Sequence, residues 1–135
     1  MTEPRETSFS HRELRCKCSR CQRKSPNRCR PESLARLQRV RDRFYDEFGK
    51  GLVLTSAYRC LNHPSEQAKV AKYGPNYRGG YHVKGTAFDI AIGWGRERQR
   101  LIQIAMEEGF TGFGYANSFL HIDDGHPVLT SWGYS

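Results

Sequence analysis

An aspartate in the middle of an apolar run sets the terms for this chain. Residues 86–92, TAFDIAI, read as a short strand, on which successive side chains point to opposite faces. Phe88, Ile90 and Ile92 then share a core face, while Ala87, Asp89 and Ala91 share the other. A carboxylate there is costly to bury unless it is paired or bound to a metal. The flanking alanines leave room above it. His82 stands seven residues earlier, and Lys84-Gly85 reads as a turn that can bring it back toward Asp89. FLHID (119–123) repeats the logic: Leu120 and Ile122 face one way, Phe119, His121 and Asp123 the other.

One buried histidine is usually a hydrogen-bonded core residue. Two histidines and a carboxylate on two apolar strands favour a metal. His82, Asp89 and His121 make a three-ligand set with one position open, the pattern of catalytic rather than structural zinc. Residues two apart on a strand are separated by roughly 6.6 Å. Asp123 would then reach a water on a metal held by His121, which makes it the candidate general base, with Asp124 second.

In combination, SAYR (56–59), H-x(6)-D (82–89), GFGY (112–115) and FLHID (119–123) resemble the M15 metallopeptidases. These are D-Ala-D-Ala carboxypeptidases and peptidoglycan endopeptidases, phage endolysins among them. The resemblance spans about residues 8–133 and is nearest to the short branch with a His-Ile-Asp strand and a late tryptophan, here Trp132. It implies an α+β fold of the M15, hedgehog-like type, with helices flanking a small antiparallel sheet that carries the zinc. It implies one catalytic Zn2+ on His82, Asp89 and His121, substrate contact by Arg59, and peptidoglycan as the partner. Other branches place an acidic base three residues before the last histidine. That position is Ser118 here, so the base moves to Asp123. Tyr81 and Ser118 are expected to touch substrate beside Arg59, whose guanidinium can hold a carboxylate through two parallel bonds.

A length of 135 residues suits one domain over 1–135, and a monomer is expected. The net charge of +8 favours an anionic partner. Cell-wall polymer and nucleic acid both fit, and the metal set favours the wall. No apolar stretch approaches the ~20 residues of a membrane span. MTEPRETSFS lacks the apolar region of a secretory signal. The expectation is a protein made in the cytoplasm that reaches the wall through a separate pore, as the resemblance implies for endolysins.

A basic, cysteine-rich segment occupies about residues 8–30. Cys16, Cys18, Cys21 and Cys29 follow C-x-C-x(2)-C-x(7)-C, which suits a second, structural zinc or free or disulfide-bonded thiols. Disulfides are disfavoured in a cytosolic chain. Arg15, Lys17, Arg20, Arg23, Lys24, Arg28 and Arg30 interleave with them, as a solvated face or a contact to anionic polymer. Two rival functions follow: a catalytically degenerate wall-binding protein, and a nucleic-acid-binding module with a zinc knuckle.

The remaining elements read as scaffold. Ser10 and Glu13 form a capping box. A helix over 31–48 runs from Pro31 to a stop at Gly49, with Leu34, Leu37, Val40, Phe44 and Phe48 as its stripe. Residues 52–59 suggest a strand leading to Arg59, and Ser65 is placed to cap a helix through Tyr73. Residues 74–80 form a loop that can wall a cleft. Residues 96–108 suggest a helix with Leu101, Ile102, Ala105 and Met106 inward. Residues 109–119 suggest a strand and turn feeding FLHID, and Trp132 is expected to pack the tail against the body.

Overall fold

The computed structural model describes residues 8–22, 24, 27–74, 77 and 79–134. Arg23 of the basic segment and Pro75, Asn76 and Arg78 of the 74–80 loop lie outside the described residues.

The chain forms α1 (His11–Leu14), α2 (Pro31–Phe48), β1 (Leu54–Ser56), α3 (Pro64–Tyr73), β2 (Ala87–Ala91), α4 (Arg96–Glu107), β3 (Gly112–Tyr115), β4 (Phe119–Asp123) and β5 (Thr130–Gly133). This is an α+β fold with one sheet in the order β1-β2-β4-β3-β5. Every pairing is antiparallel except β3 with β5, which is parallel.

Apolar alternation builds the sheet. Phe88 pairs with Ile122 and Ile90 with Leu120 across β2 and β4, and all four are buried. They share a core with Leu37, Val40 and Phe44 of α2, Leu101, Ile104 and Ala105 of α4, and Phe113 of β3. Burying such a side chain is worth about 1.5–3 kcal/mol. The core face therefore dictates which residues appear on the other face of the same strands. Outside the core, α2 is tied to the end of α4 by Arg39 and Arg43 on Glu108.

Ser10 and Glu13 form the expected capping box. At α3 the cap is His63 and not Ser65: the His63 Nδ1 accepts the Ser65 N–H at 3.1 Å. On α4 the inward set includes Ile104, while Met106 is 40% exposed, because the buried face follows 101, 104 and 105. β1 is shorter than the expected 52–59 run, with an irregular register between Leu54 and Ser56. The last segment is a strand in its own right.

Arg98 on α4 is only 1% exposed. Its guanidinium donates to the carbonyls of Ala116 (2.7 Å), Phe119 (2.9 Å) and Ile92 (3.4 Å), and the Trp94 ring lies over it at 4.1 Å. One side chain thus closes the end of β2 and the β3–β4 hairpin. Each buried carbonyl left without a donor costs about 1–3 kcal/mol. Arg98→Ala should lower stability by about 3 kcal/mol in denaturant unfolding, and Arg98→Lys should recover only part. A loss below about 1 kcal/mol would mean that water serves those carbonyls equally well.

Candidate metal centre and its cleft

The antiparallel register places Asp89 directly opposite His121. The His121 Nδ1 lies 3.0 Å from the Asp89 Oδ1. His82 comes from the 81–85 turn, closed by the Lys84 N–H on the Gly80 carbonyl and the Thr86 N–H on the Tyr81 carbonyl. Its Nε2 reaches 3.2 Å from the same Asp89 oxygen. Ligand atoms of all three residues fall within 4.8 Å of one another, and all three side chains are buried. Gly85 permits this turn. Its φ is +78°, and a Cβ there would collide with the Arg28 carbonyl. The Gly85 carbonyl accepts the Arg30 N–H at 2.8 Å, which lays the turn against the segment before α2.

Each histidine has its other ring nitrogen committed. The His82 Nδ1–H donates to the Ala57 carbonyl at 2.7 Å, leaving Nε2 with a lone pair for a metal. The His121 Nε2 meets the Asp123 Oδ2 at 2.8 Å, leaving Nδ1 for the metal. Metal-binding histidines characteristically carry such outer partners, which fix the tautomer and ring orientation. The Arg59 guanidinium donates to the outer oxygen of Asp89 at 3.2 Å and to the Ser56 hydroxyl at 3.0 Å. Burial works to raise the Asp89 pKa, but its bonds to His121 and His82 outweigh that and hold it well below the usual carboxylate range. Burial keeps His82 readily deprotonated. At His121 burial is outweighed by Asp123 and Asp89, whose bonds raise its pKa above the usual imidazole value. A neutral imidazole, a second imidazole and an ionised carboxylate form a donor set that fits a divalent zinc ion.

The structure places Asp123 differently from the expected base. It is fully buried, behind His121. One oxygen takes His121, and the other takes the Gly125 N–H, the His126 N–H and the His126 Nδ1–H at 2.7 Å. The two-residue spacing put Asp123 on the right face of β4 but could not say which side of the imidazole it meets. A Cβ at Gly112 would collide with this carboxylate and with the His126 ring, so the missing side chain makes the recess in which both sit. Asp124, the second candidate base, is held by Arg36 at 2.6 Å and by the Ser33 hydroxyl at 2.7 Å. Ser118 is not brought to the cleft. It is exposed at the β3–β4 turn, where its carbonyl accepts the Ile92 N–H.

The metal group opens into a cleft of about 660 Å³. Arg59, Lys69, Tyr77, Tyr81, His126, Trp132 and Tyr134 line it. Tyr81 is thus one wall of this cleft. His126, which no motif in the sequence marks, sits in the loop after β4. It packs on Tyr81 with ring centroids 4.2 Å apart and on Trp132 at 5.2 Å. Trp132 also packs on His121 at 5.1 Å.

A family model described as Peptidase M15 matches residues 7–123. The chain belongs to the peptidase M15 family. M15 peptidases are metal-dependent, so the chain is a metallopeptidase by family, and the family suggests a zinc enzyme acting on peptidoglycan-type substrates. No curated protein and no solved structure matches the chain significantly. Among the described residues, no helix is long and apolar enough to cross a membrane.

A second group of side chains able to hold a metal lies apart from this set, and it corrects the sequence grouping. Cys16, Cys18 and Cys21 are joined by Cys60, not by Cys29. Cys29 packs beside them but turns its thiol to the Leu14 carbonyl at 3.7 Å, and burial pushes that thiol up to about 11.

Glu66 on α3 was also missed. It is wholly buried and accepts the Gly80 N–H at 2.9 Å and the Tyr77 hydroxyl at 3.0 Å, with Lys69 at 3.4 Å. It thereby pins the loop that leads into His82. Burial acts to raise its pKa, but the Gly80 N–H, Lys69 and Tyr77 together bring it below the ordinary value. A depressed carboxylate stabilises the fold above its unfolded pKa of about 4.3 and loses that contribution as pH falls through the folded value. Comparing unfolding of the protein and Glu66→Gln should show the wild-type advantage at pH 7 shrinking in acid below pH ~4. An advantage that stays constant with pH would remove Glu66 as the source.

Proposed function

We propose that the protein is a zinc peptidase that hydrolyses an amide bond in the stem peptides or cross-links of peptidoglycan, in the manner of a phage endolysin. One observation carries the reading. The His82 Nε2, Asp89 Oδ1 and His121 Nδ1 converge at the floor of an aromatic cleft, and both histidines are locked from behind. His82, Asp89 and His121 would hold the ion. Zinc supplies a Lewis acid for the scissile carbonyl and a lowered pKa for its water.

The chain's own residues divide the remaining work. Arg59 and Lys69 give the cleft positive charge for a peptide carboxylate, and Arg59 also steadies Asp89. Tyr81 and Trp132 form apolar walls that orient the stem. Asp123 acts as a positioning carboxylate for His121 and His126. His126 is the candidate proton acceptor: its Nδ1–H is held by Asp123, so its Nε2 carries the lone pair on the cleft side of the molecule. It can take a proton from the attacking water and return it to the leaving amine. The +8 net charge suits an anionic wall.

The full engagement of Asp123 favours one rival, a catalytically degenerate wall binder, because among the described residues Asp89 is the one carboxylate that lines the cleft. Digestion of purified Gram-negative peptidoglycan, with fragments read by mass spectrometry, separates the two. New peptide ends that vanish with a chelator are expected, and their identity names the bond. His82→Ala should abolish cutting. His126→Ala should lower kcat about 10²–10⁴-fold with zinc retained. Asp123→Asn should cost about 10–100-fold in zinc affinity or activity. An intact wall after treatment with folded, zinc-loaded protein would refute the peptidase reading, and unchanged kcat in His126→Ala would remove His126 from the mechanism.

A further inference from the structure

The cysteine group draws its members from two distant parts of the chain. Cys16, Cys18 and Cys21 lie in the loop after α1, and Cys60 follows Arg59 after β1. The sulfurs of Cys16 and Cys18, Cys18 and Cys21, and Cys18 and Cys60 are 3.5 Å apart, and those of Cys16 and Cys60 are 3.6 Å apart. Disulfide sulfurs sit at ~2.05 Å, so none of these pairs is bonded and none of the five cysteines is in a disulfide. Four sulfurs at ~2.3 Å from one zinc ion mark a tetrahedron with edges of ~3.8 Å. The observed spacings lie close to that edge. A polynuclear iron–sulfur cluster inserts bridging sulfides and spreads its thiolates more widely.

The surroundings also suit metal-bound thiolates. Cys16, Cys18 and Cys60 are buried. Backbone N–H groups of Cys18 and Cys60 point at the Cys16 sulfur, and that of Asn62 at the Cys60 sulfur. Such donors stabilise a negative sulfur. After the C-x-x-C turn, Gln22 takes a φ of +54°, the only positive φ of a non-glycine among the described residues. Four thiolates and one Zn2+ sum to a charge of two minus, and Lys17 and Arg20 sit in the same loop to offset it. The Lys17 ammonium reaches the Thr55 carbonyl and the Arg20 guanidinium the Asn62 carbonyl, so both cations bridge to the β1 side.

We propose that Cys16, Cys18, Cys21 and Cys60 hold a second, structural zinc ion that clamps the N-terminal segment to the loop carrying Arg59. Binding releases the four thiol protons to solvent and changes no oxidation state. The proposal is independent of whether the protein cuts peptidoglycan.

The test is a metal count on the full chain, expressed with added zinc and read by native mass spectrometry and elemental analysis. Two zinc ions per chain are expected. Cys60→Ser should hold one, His82→Ala one, and Cys29→Ser two. Because Cys60→Ser can fail to fold, the wild-type chain loaded with cobalt gives a second readout. Only the cysteine site can show thiolate-to-cobalt charge transfer in the near ultraviolet. Any of three results would overturn the proposal: a single wild-type zinc lost in His82→Ala, iron in place of zinc, or a folded cobalt-loaded chain without the thiolate band. A chain that keeps the cysteine-dependent zinc yet leaves peptidoglycan intact would support this site and refute the peptidase reading alone.

Discussion

The pairing of Asp89 with His121 across β2 and β4 is the constraint on which the rest depends. Both residues lie on strands whose opposite faces carry Phe88, Ile90, Leu120 and Ile122. A slip of one residue would turn one strand over, moving its apolar pair (Phe88 and Ile90, or Leu120 and Ile122) out of the core and its ionisable residue into it. The hydrophobic effect therefore positions the charged groups, although it makes no contact with them. Helices α2 and α4 matter to the cleft in this indirect way: they cover the apolar face and so hold the register.

Two carboxylates on the same face have been given different tasks by small differences in surroundings. Asp89 has one oxygen between the two histidines and the other on Arg59. Asp123, two residues past His121, has both oxygens taken, one by His121 and the other by the Gly125 and His126 N–H groups and the His126 ring. The difference traces to Gly112, whose missing side chain opens the recess. Strand geometry alone makes the two aspartates look interchangeable.

What could be read from the sequence was what is local and periodic. The bounds of α2 were legible because Pro31 and Gly49 punctuate a clear apolar stripe. The faces of β2 and β4 were legible because alternation leaves little choice for Asp89 and His121. The unread parts depend on contacts between distant segments. Cys60 lies 39 residues beyond Cys21, and only the placement of β1 beside the N-terminal loop brings it in. Cys29, nearer in sequence, was the natural but mistaken fourth member. β5 lies parallel to β3, a pairing with no hairpin signal, and it carries Trp132 onto the site. His126 gains its place from Tyr81, on the turn before β2, and from Trp132 of β5, which no local pattern brings together.

The chain has two tryptophans, and they occupy opposite kinds of place. Trp94 is largely exposed over Arg98, whereas Trp132 is wedged against His121 and His126. Protonated imidazole quenches a neighbouring indole. The cleft therefore contains its own optical reporter, with Trp94 as an internal reference. An indole packed on the imidazoles of the site can thus report on them by its emission, without any label attached to the protein.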